Sequence, residues 1–590
     1  MTILVQKFGG TSVGSVERIQ SVAQRIALSK SQGNDLVIVV SAMGNTTNEL
    51  TSLAKSISKS PPKREMDMLL STGEQVSIAL LSIALNELGV SAKSMTGSQV
   101  GIVTESSHGK ARILEIKTER IKNLLEQGKI VVIAGFQGTS LGSGGTAEIT
   151  TLGRGGSDTS AIALATALGA DACEIYTDVP GVLTTDPRIV PNAQLMQEIS
   201  CDEMLELASL GAAVLHPRAV EIARNYGIKL IVRSSWNNDP GTTLTSQNKN
   251  LISNNGLEVN KPINGAELVE NQAVLGLSHI PDKPGIAADL FEMLSKGGVN
   301  VDLIIQSTHE GNSNDITFTV CENDLEKAKL LCETFIQKLG GELSTQKQMS
   351  KLSIRGAGIM GRPSIAASLF ETISKAGINL RLIATSEVKV SCVIDSSMGA
   401  KALRSIIEFF KLEDNQVQIN PKVVKSGEPA VRGVALDLEQ TQVSVINVPD
   451  VPGSAAIICK RLADSGISLD TIIQSERKHL NGGRNISFTL NKNDRKLADQ
   501  VLTHIIKNWI GSHIQDGEAI ARISAVGAGM PNTPGTAAKM FRAIANAGIN
   551  IEMIATSEIR TSCIVPESYG TKALQVVHNF FNLNRTTNLN

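Results

Sequence analysis

The sequence predicts an α/β protein: an N-terminal αβα sandwich followed by four small βαββαβ modules in two tandem pairs. Three observations carry this. Up to about Thr245, apolar strand-like runs alternate with segments of helical period. Beyond a polar linker the chain repeats itself, and each repeat divides into two similar halves. At 590 residues the chain is also too long for a single hydrophobic core.

The elements follow in order. Ile3–Phe8 reads as a strand, and Phe8-Gly9-Gly10-Thr11 as a tight loop. A helix follows in which Val16, Ile19, Ala23, Ile26 and Ala27 share one face. Leu36–Val40 and Ile130–Ala134 are almost pure apolar runs, the pattern of strands buried on both faces of a parallel sheet. Ser157 and Asp158 are expected to cap a small-residue helix over Ala161–Leu168, after which Cys173–Tyr176 returns to strand. The pattern breaks at Trp236–Gly241, and 246–265, rich in Asn, Ser and Lys, reads as a linker.

The repeat begins beyond it. His279-Ile280-Pro281-Asp282-Lys283-Pro284-Gly285 returns as Asn447-Val448-Pro449-Asp450-Val451-Pro452-Gly453, 168 residues on. Ile304-Ile305-Gln306-Ser307 returns as Ile472-Ile473-Gln474-Ser475 at the same offset. Ile383-Ala384-Thr385-Ser386-Glu387 returns as Ile554-Ala555-Thr556-Ser557-Glu558, 171 residues on. Within the first repeat, Lys296–Asn300 and Lys375–Asn379 each close a helix and open a strand, so four modules are expected at 266–345, 346–425, 426–515 and 516–590. Duplication on this scale points to a regulatory or interaction array, not to a second active site.

Composition narrows the function. A formal net charge of -1 gives no broad attraction for nucleic acid or an anionic membrane, and 3% aromatics give no base-stacking platform. The seven cysteines contain no CxxC pair and are odd in number, which predicts buried free thiols and neither a zinc site nor a disulfide framework. The start, MTILVQKFGG, runs straight into a strand with no charged leader, and no apolar run approaches the ~20 residues of a membrane span. A soluble cytoplasmic protein is expected, or the processed form of a protein of the plastid stroma.

Two loops carry the chemistry. Lys7-Phe8-Gly9-Gly10-Thr11-Ser12 lies between a strand and a helix, where glycine amides approach a phosphate and a lysine supplies charge. The bland alternative is a tight turn with a surface lysine. Leu152-Gly153-Arg154-Gly155-Gly156-Ser157-Asp158 also opens a helix; Arg154 would clamp a carboxylate, and Asp158 would hold magnesium or simply cap the helix. Two such loops in one α/β domain favour the binding reading. The chain has no GxxxxGK[ST] and no HRD or DFG set, which excludes P-loop enzymes and protein kinases. Gly356-Ala357-Gly358-Ile359-Met360-Gly361 matches GxGxxG, but its repeat, Gly527-Ala528-Gly529-Met530-Pro531-Asn532, loses the third glycine. Those glycines therefore belong to the module's own loop and not to a dinucleotide site. His216, between Leu215 and Pro217, reads as structural.

The ordered set of Lys7–Ser12, Ser41-Ala42-Met43-Gly44, Arg64–Asp67, Ser71–Glu74, Thr151–Asp158, Tyr176–Gly181 and Thr185–Arg188 resembles the aspartate kinases of the amino-acid kinase family. The four modules resemble ACT domains, ferredoxin-like units that bind amino acids at paired faces; many aspartate kinases carry two, so four is a departure. The resemblance implies a carbamate-kinase-like catalytic domain over 1–245, using ATP with Mg2+ to phosphorylate the side-chain carboxylate of L-aspartate. Lys7, Arg154 and Asp158 would be catalytic, with Asp158 the metal ligand. Lys7, Phe8, Gly9, Gly10, Thr177, Asp178, Gly181, Val182, Asp186 and Arg188 would bind ATP. Ser41, Thr47, Glu74, Arg154, Gly155, Gly156 and Ser157 would form the amino-acid pocket, with Glu74 on the substrate ammonium.

By the same resemblance, L-lysine, L-threonine or both would act as feedback effectors between paired modules, and two chains would pair through them. Asp282, Gly285, Asn300, Val301, Asp302 and Gln306 of one module would meet Ile365, Asn379, Leu380, Thr385 and Ser386 of its partner. Asp450, Gln474, Asn550, Thr556 and Ser557 would repeat the pattern. Two other readings stay open here, a kinase of glutamate or N-acetylglutamate and a non-catalytic amino-acid sensor; a kinase–dehydrogenase fusion falls with its only dinucleotide-like motif.

Overall fold

The computed structural model describes residues 2–141, 147–211, 214–246, 257–258, 262–309, 313–356, 359, 362–421, 429–474 and 482–585. Two compact units emerge, one of 1–183, 195–208 and 213–260, the other of 184–194, 209–212 and 261–590. Most of the expected linker, and Ala357, Gly358, Met360 and Gly361 of the GxGxxG stretch, lie outside the described residues.

In the first unit an eight-stranded sheet runs in the order Glu198–Ser200, Thr242–Thr245, Leu230–Ser234, Ala172–Thr177, Ile3–Phe8, Asp35–Val40, Ile130–Ala134, Ala92–Met95. Its pairings are parallel apart from that between Leu230–Ser234 and Thr242–Thr245. Leu36, Ile38 and Val40 pack against the helices Val16–Ser31 and Thr72–Glu87. The intervening Val37 and Val39 are equally buried and face the opposite layer, which explains the uninterrupted apolar runs. On the first helix Ile19, Ala23 and Ile26 are buried as expected, Val22 joins them, Ala27 is half-buried and Val16 is exposed.

The helix expected over Ala161–Leu168 begins earlier, at Gly156, after a left-handed Gly155. Ser157 and Asp158 thus lie inside its first turn and are not its caps. A stretch of span length also exists, contrary to expectation: Lys63–Glu87 is long and apolar enough by length and composition to cross a membrane. It is broken at Ser71, and its buried Asp67 and Glu74 face the candidate site described below.

In the second unit the strand Gly265–Pro281 is shared between modules. Gly265–Val269 pairs with Arg355–Lys351 of the second module, and Gln272–Ser278 pairs within the first, with a left-handed Asn271 between them. Gly433–Asp437 likewise pairs with Val526–Arg522 of the fourth module, ahead of the third. The first module is therefore inserted into the second and the third into the fourth, which corrects the simple boundaries read from the sequence. The glycine turns follow from this insertion. A Cβ on Gly356 would come within 2.2 Å of Pro262 O, and one on Gly527 within 2.3 Å of Ala430 O.

Side by side, the first module packs with the fourth and the second with the third. Ile305 and Gln306 pair with Ala555 and Ile554 across the first interface, where the Phe291 and Phe541 rings lie 5.7 Å apart. One core joins modules one and four, and another joins modules two and three. The 184–194 segment belongs to the former: Val190 is buried there, and Thr184 Oγ1 lies 2.9 Å from His578 Nε2.

Two buried charge clusters sit where three modules meet. Lys351 and Lys389 of the second module bind Glu267, Asp302 of the first module and Glu558 of the fourth. At the equivalent positions Arg522 and Arg560 of the fourth module hold Asp437, Asp470 of the third and Glu387 of the second. Arg522 is wholly buried, so its neighbours' charges depend on it. Arg522→Met should leave Asp437 uncompensated and Asp470 with Arg560 alone, and cost ~3–5 kcal/mol, read as a lowered urea midpoint of the full chain.

Candidate active site

At the carboxyl edge of the central strands, the penultimate residue of Ile3–Phe8 is Lys7. It is 8% exposed, and its Nζ lies 2.6 Å from Asp158 Oδ1. Asp158 occupies the first turn of Gly156–Leu168, where the helix dipole favours a negative charge. The strand before Lys7 is held by its neighbour: Gly9 N–H donates to Tyr176 O at 3.1 Å, and the Phe8 and Tyr176 rings stack at 4.7 Å. Gly10 is required by crowding, since a Cβ there would lie 2.8 Å from Ala42 O. Gly44 N–H donates to Gly10 O and Ser41 N–H to Phe8 O, nesting the 41–44 loop on the first glycine turn.

Glu74 meets the same loop. Its Oε1 accepts from Ala42 N–H at 3.2 Å, while the buried Oε2 has no partner among the described residues. Burial pushes its carboxyl up to about 7, against the hydrogen bond from Ala42. An unsatisfied buried acceptor of this kind suits an incoming ammonium.

The second glycine turn passes through left-handed Gly153 and Gly155; a Cβ on Gly155 would overlap His216. Arg154 between them is exposed. Burial, then Arg218 and Arg154, hold the His216 imidazole below its ordinary value, with Asp158 opposing. Arg154 and Asp158 therefore act on one imidazole, and Lys7 and Arg154 border the same end of the sheet. Ser157 is buried, with its Cβ beneath Gly135, and Thr47 is half-buried in the helix Thr46–Ile57.

Thr177 ends the strand beside that of Lys7 and bonds Asp178 Oδ1 at 3.1 Å. Gly181 lies against Thr242, and Val182 is buried with its N–H on Thr242 Oγ1, so its side chain supports the loop from within. Asp186 and Arg188 form an exposed ion pair in the 184–194 segment, which belongs to the other unit. For magnesium, Asp158 is the carboxylate at hand. No group of three or more His, Cys, Asp or Glu suited to a metal exists among the described residues. One carboxylate beside nucleotide phosphates is sufficient for that ion, so the donor set fits.

Sequence reasoning assigned no role to two supports of the site. Asp67, fully buried, accepts from Thr151 Oγ1 at 2.6 Å, Gly109 N–H at 3.1 Å and His108 Nδ1 at 2.7 Å. Arg218 donates to Leu152 O, to Ala111 O at 2.9 Å and to both oxygens of Glu258, bracing the strand that leads into the Arg154 turn. The only sequence signal was the Arg64–Asp67 motif, which contains the first; the second had none. All seven cysteines are free, and of them only Cys321 is exposed.

The effector candidates regroup along the observed module pairs. Asp282, Gly285 and Gln306 face Asn550 of the fourth module, not Asn379. Asn379 and Leu380 instead face Asp450, Gly453 and Gln474 of the third. A larger cavity of about 480 Å³ lies between Asn300, Val301 and Asp302 and the fourth module's Thr556 and Ser557. Thr385 bonds Asp470 O, Ser386 closes its own turn onto Lys389, and Ile365 is a core residue.

Comparison with known proteins agrees with this architecture. The amino acid kinase family matches residues 2–234, and the ACT domain family matches 278–334, 352–410 and 523–581. The third module falls outside those matches, yet it has the same element order from Gln440 to the strand His513–Val526. An aspartokinase of Thermus thermophilus is 46% identical over 415 residues, 70% of this chain and 100% of that protein. Aspartokinase 2 of Bacillus subtilis is 47% identical over 413 residues, 70% of this chain and 98% of its own. The crystal structure of an aspartate kinase from Synechocystis is 51% identical, with a TM-score of 0.87, covering 100% of this chain and 99% of that one. Sheet, glycine turns and module array agree with these matches, and the chain belongs to the aspartokinase family of phosphotransferases.

Proposed function

We propose that the chain transfers the γ-phosphoryl group of ATP, bound with Mg2+, to the β-carboxylate of L-aspartate. The product is 4-phospho-L-aspartate, and the reaction opens the synthesis of lysine, threonine and methionine. The observation that carries this is the buried Lys7–Asp158 pair where two glycine turns meet. An aspartate side chain in water loses its proton near pH ~3.9 and is already ionised at neutral pH, so the nucleophile needs no general base. The difficulty is bringing two anions together, which calls for cations and oriented amides. Lys7 neutralises the transferring group, Gly9 and Gly10 cradle the phosphates, and Arg154 clamps the α-carboxylate. Asp158 holds the metal that offsets phosphate charge.

Glu74, with one oxygen unsatisfied, receives the substrate ammonium. That favours a free amino acid over an N-acetylated one. Lysine, threonine or both act as feedback effectors in the module pockets, through a coupling of ~1–3 kcal/mol between sites.

An ADP-release assay should show turnover with aspartate and little with glutamate or N-acetylglutamate; equal rates with either would reject the assignment. Lys7→Ala should lower turnover on the order of 10²–10³ fold, and a near-normal rate in the folded variant would remove that role. The free Glu74 carboxyl, near 7, must lose its proton to accept the ammonium. KM for aspartate should therefore rise as pH falls below about 7, by up to about tenfold per unit, and level off above it. Glu74→Gln should raise KM and flatten that profile; an unchanged profile would assign the titration elsewhere.

A further inference from the structure

The ammonium acceptor and the carboxylate clamp stand on different elements. Glu74 lies in the first turn of Thr72–Glu87, and Arg154 in the turn after the strand Ala147–Thr151. Neither element alone fixes how far apart the two side chains stand. One molecule can offer its ammonium to the first and its α-carboxylate to the second only if that spacing is set beforehand.

Asp67 is where the two elements meet. It lies on the helix Lys63–Leu70, which passes through Ser71 into the helix of Glu74, with Ser71 N–H donating to Asp67 O at 3.1 Å. Its carboxylate is fully buried. Oδ1 accepts from Thr151 Oγ1 at 2.6 Å, three residues before Arg154. Both oxygens accept from Gly109 N–H at 3.1 Å, and Oδ2 from His108 Nδ1 at 2.7 Å. The 108–109 loop in turn lies against the Arg154 turn, since a Cβ on Gly153 would come within 2.9 Å of Gly109 O. One carboxylate thus holds both the strand that leads into the turn and the loop beside it.

Two further ties run alongside. Gln137 is the register partner of Thr151 on the neighbouring strand, and its Nε2 donates to Ser71 O at 2.9 Å. Arg64, a helical turn before Asp67, pairs with Glu148 at 3.0 Å. By contrast Arg218 braces the Arg154 side alone, and Ala42 the Glu74 side alone. A wholly buried carboxylate met by two neutral donors and an imidazole is a poor way to gain stability. It is an effective way to fix geometry.

We propose that Asp67 is a positioning residue for the acceptor substrate: it sets the spacing of Glu74 and Arg154, so that both α-groups of one amino acid are held together. This rests on the roles given to Glu74 and Arg154 above. The test is steady-state kinetics of the full chain carrying Thr151→Val, which keeps the shape at that position and removes the donor. KM for aspartate should rise ~10–100-fold, while KM for ATP stays within about twofold. Thr151→Ser, which restores a hydroxyl, should return KM for aspartate to within about threefold of the wild type. In a Glu74→Gln background Thr151→Val should add much less than it does alone, because its effect passes through the spacing to that carboxylate. Circular dichroism checks that each variant is folded; should Thr151→Val fail to fold, His108→Ala against the donor-keeping His108→Asn is read the same way. An unchanged KM for aspartate in the folded variant, an equal rise for ATP, no recovery with serine, or full additivity with Glu74→Gln overturns the inference and leaves the kinase reading standing. No turnover of aspartate by the wild-type chain rejects that reading, and the inference with it.

Discussion

The catalytic unit is organised around a lysine and an aspartate held together out of water. Burying two charges costs several kcal/mol per ion unless geometry and neighbours repay it. The parallel sheet does so by ending Lys7's strand beside the start of Gly156–Leu168, so that the ammonium meets a carboxylate at the positive end of a helix. The glycines exist to permit this approach. Where Gly10 and Gly155 lie, any side chain would strike Ala42 O or the His216 ring. The pair therefore holds a preorganised charge centre at the site, in a shape that larger residues would not allow.

Much of this was legible in the sequence because its causes are local. Apolar runs at Leu36–Val40 and Ile130–Ala134 state that both faces are buried, and they are. The glycine turns announce close backbone approach. What remained hidden depends on distant partners. Asp67 is explained only by Thr151, Gly109 and His108, and Arg218 only by Leu152, Ala111 and Glu258. No spacing rule connects residues that far apart.

The regulatory half shows the same boundary. The repeat revealed four modules of one kind, but similarity between modules carries no information about which edges meet. Packing of first with fourth and second with third is decided by the insertion of one module into another, and by cores that join distant helices. Pseudo-symmetry then makes small departures readable. Lysines at one three-module junction are arginines at the other, and Asn314 becomes Arg484. A duplicated scaffold has diverged in its side chains while keeping its backbone.

The excursion between Leu183 and Leu195, which bridge to one another across its base, leaves the catalytic unit only to be built into the hydrophobic interior of the other. Val190 and Thr184 are structural members of that interior, on loan from a chain segment far upstream. A protein divided at the apparent border near residue 245 would separate this short excursion from the body that completes it.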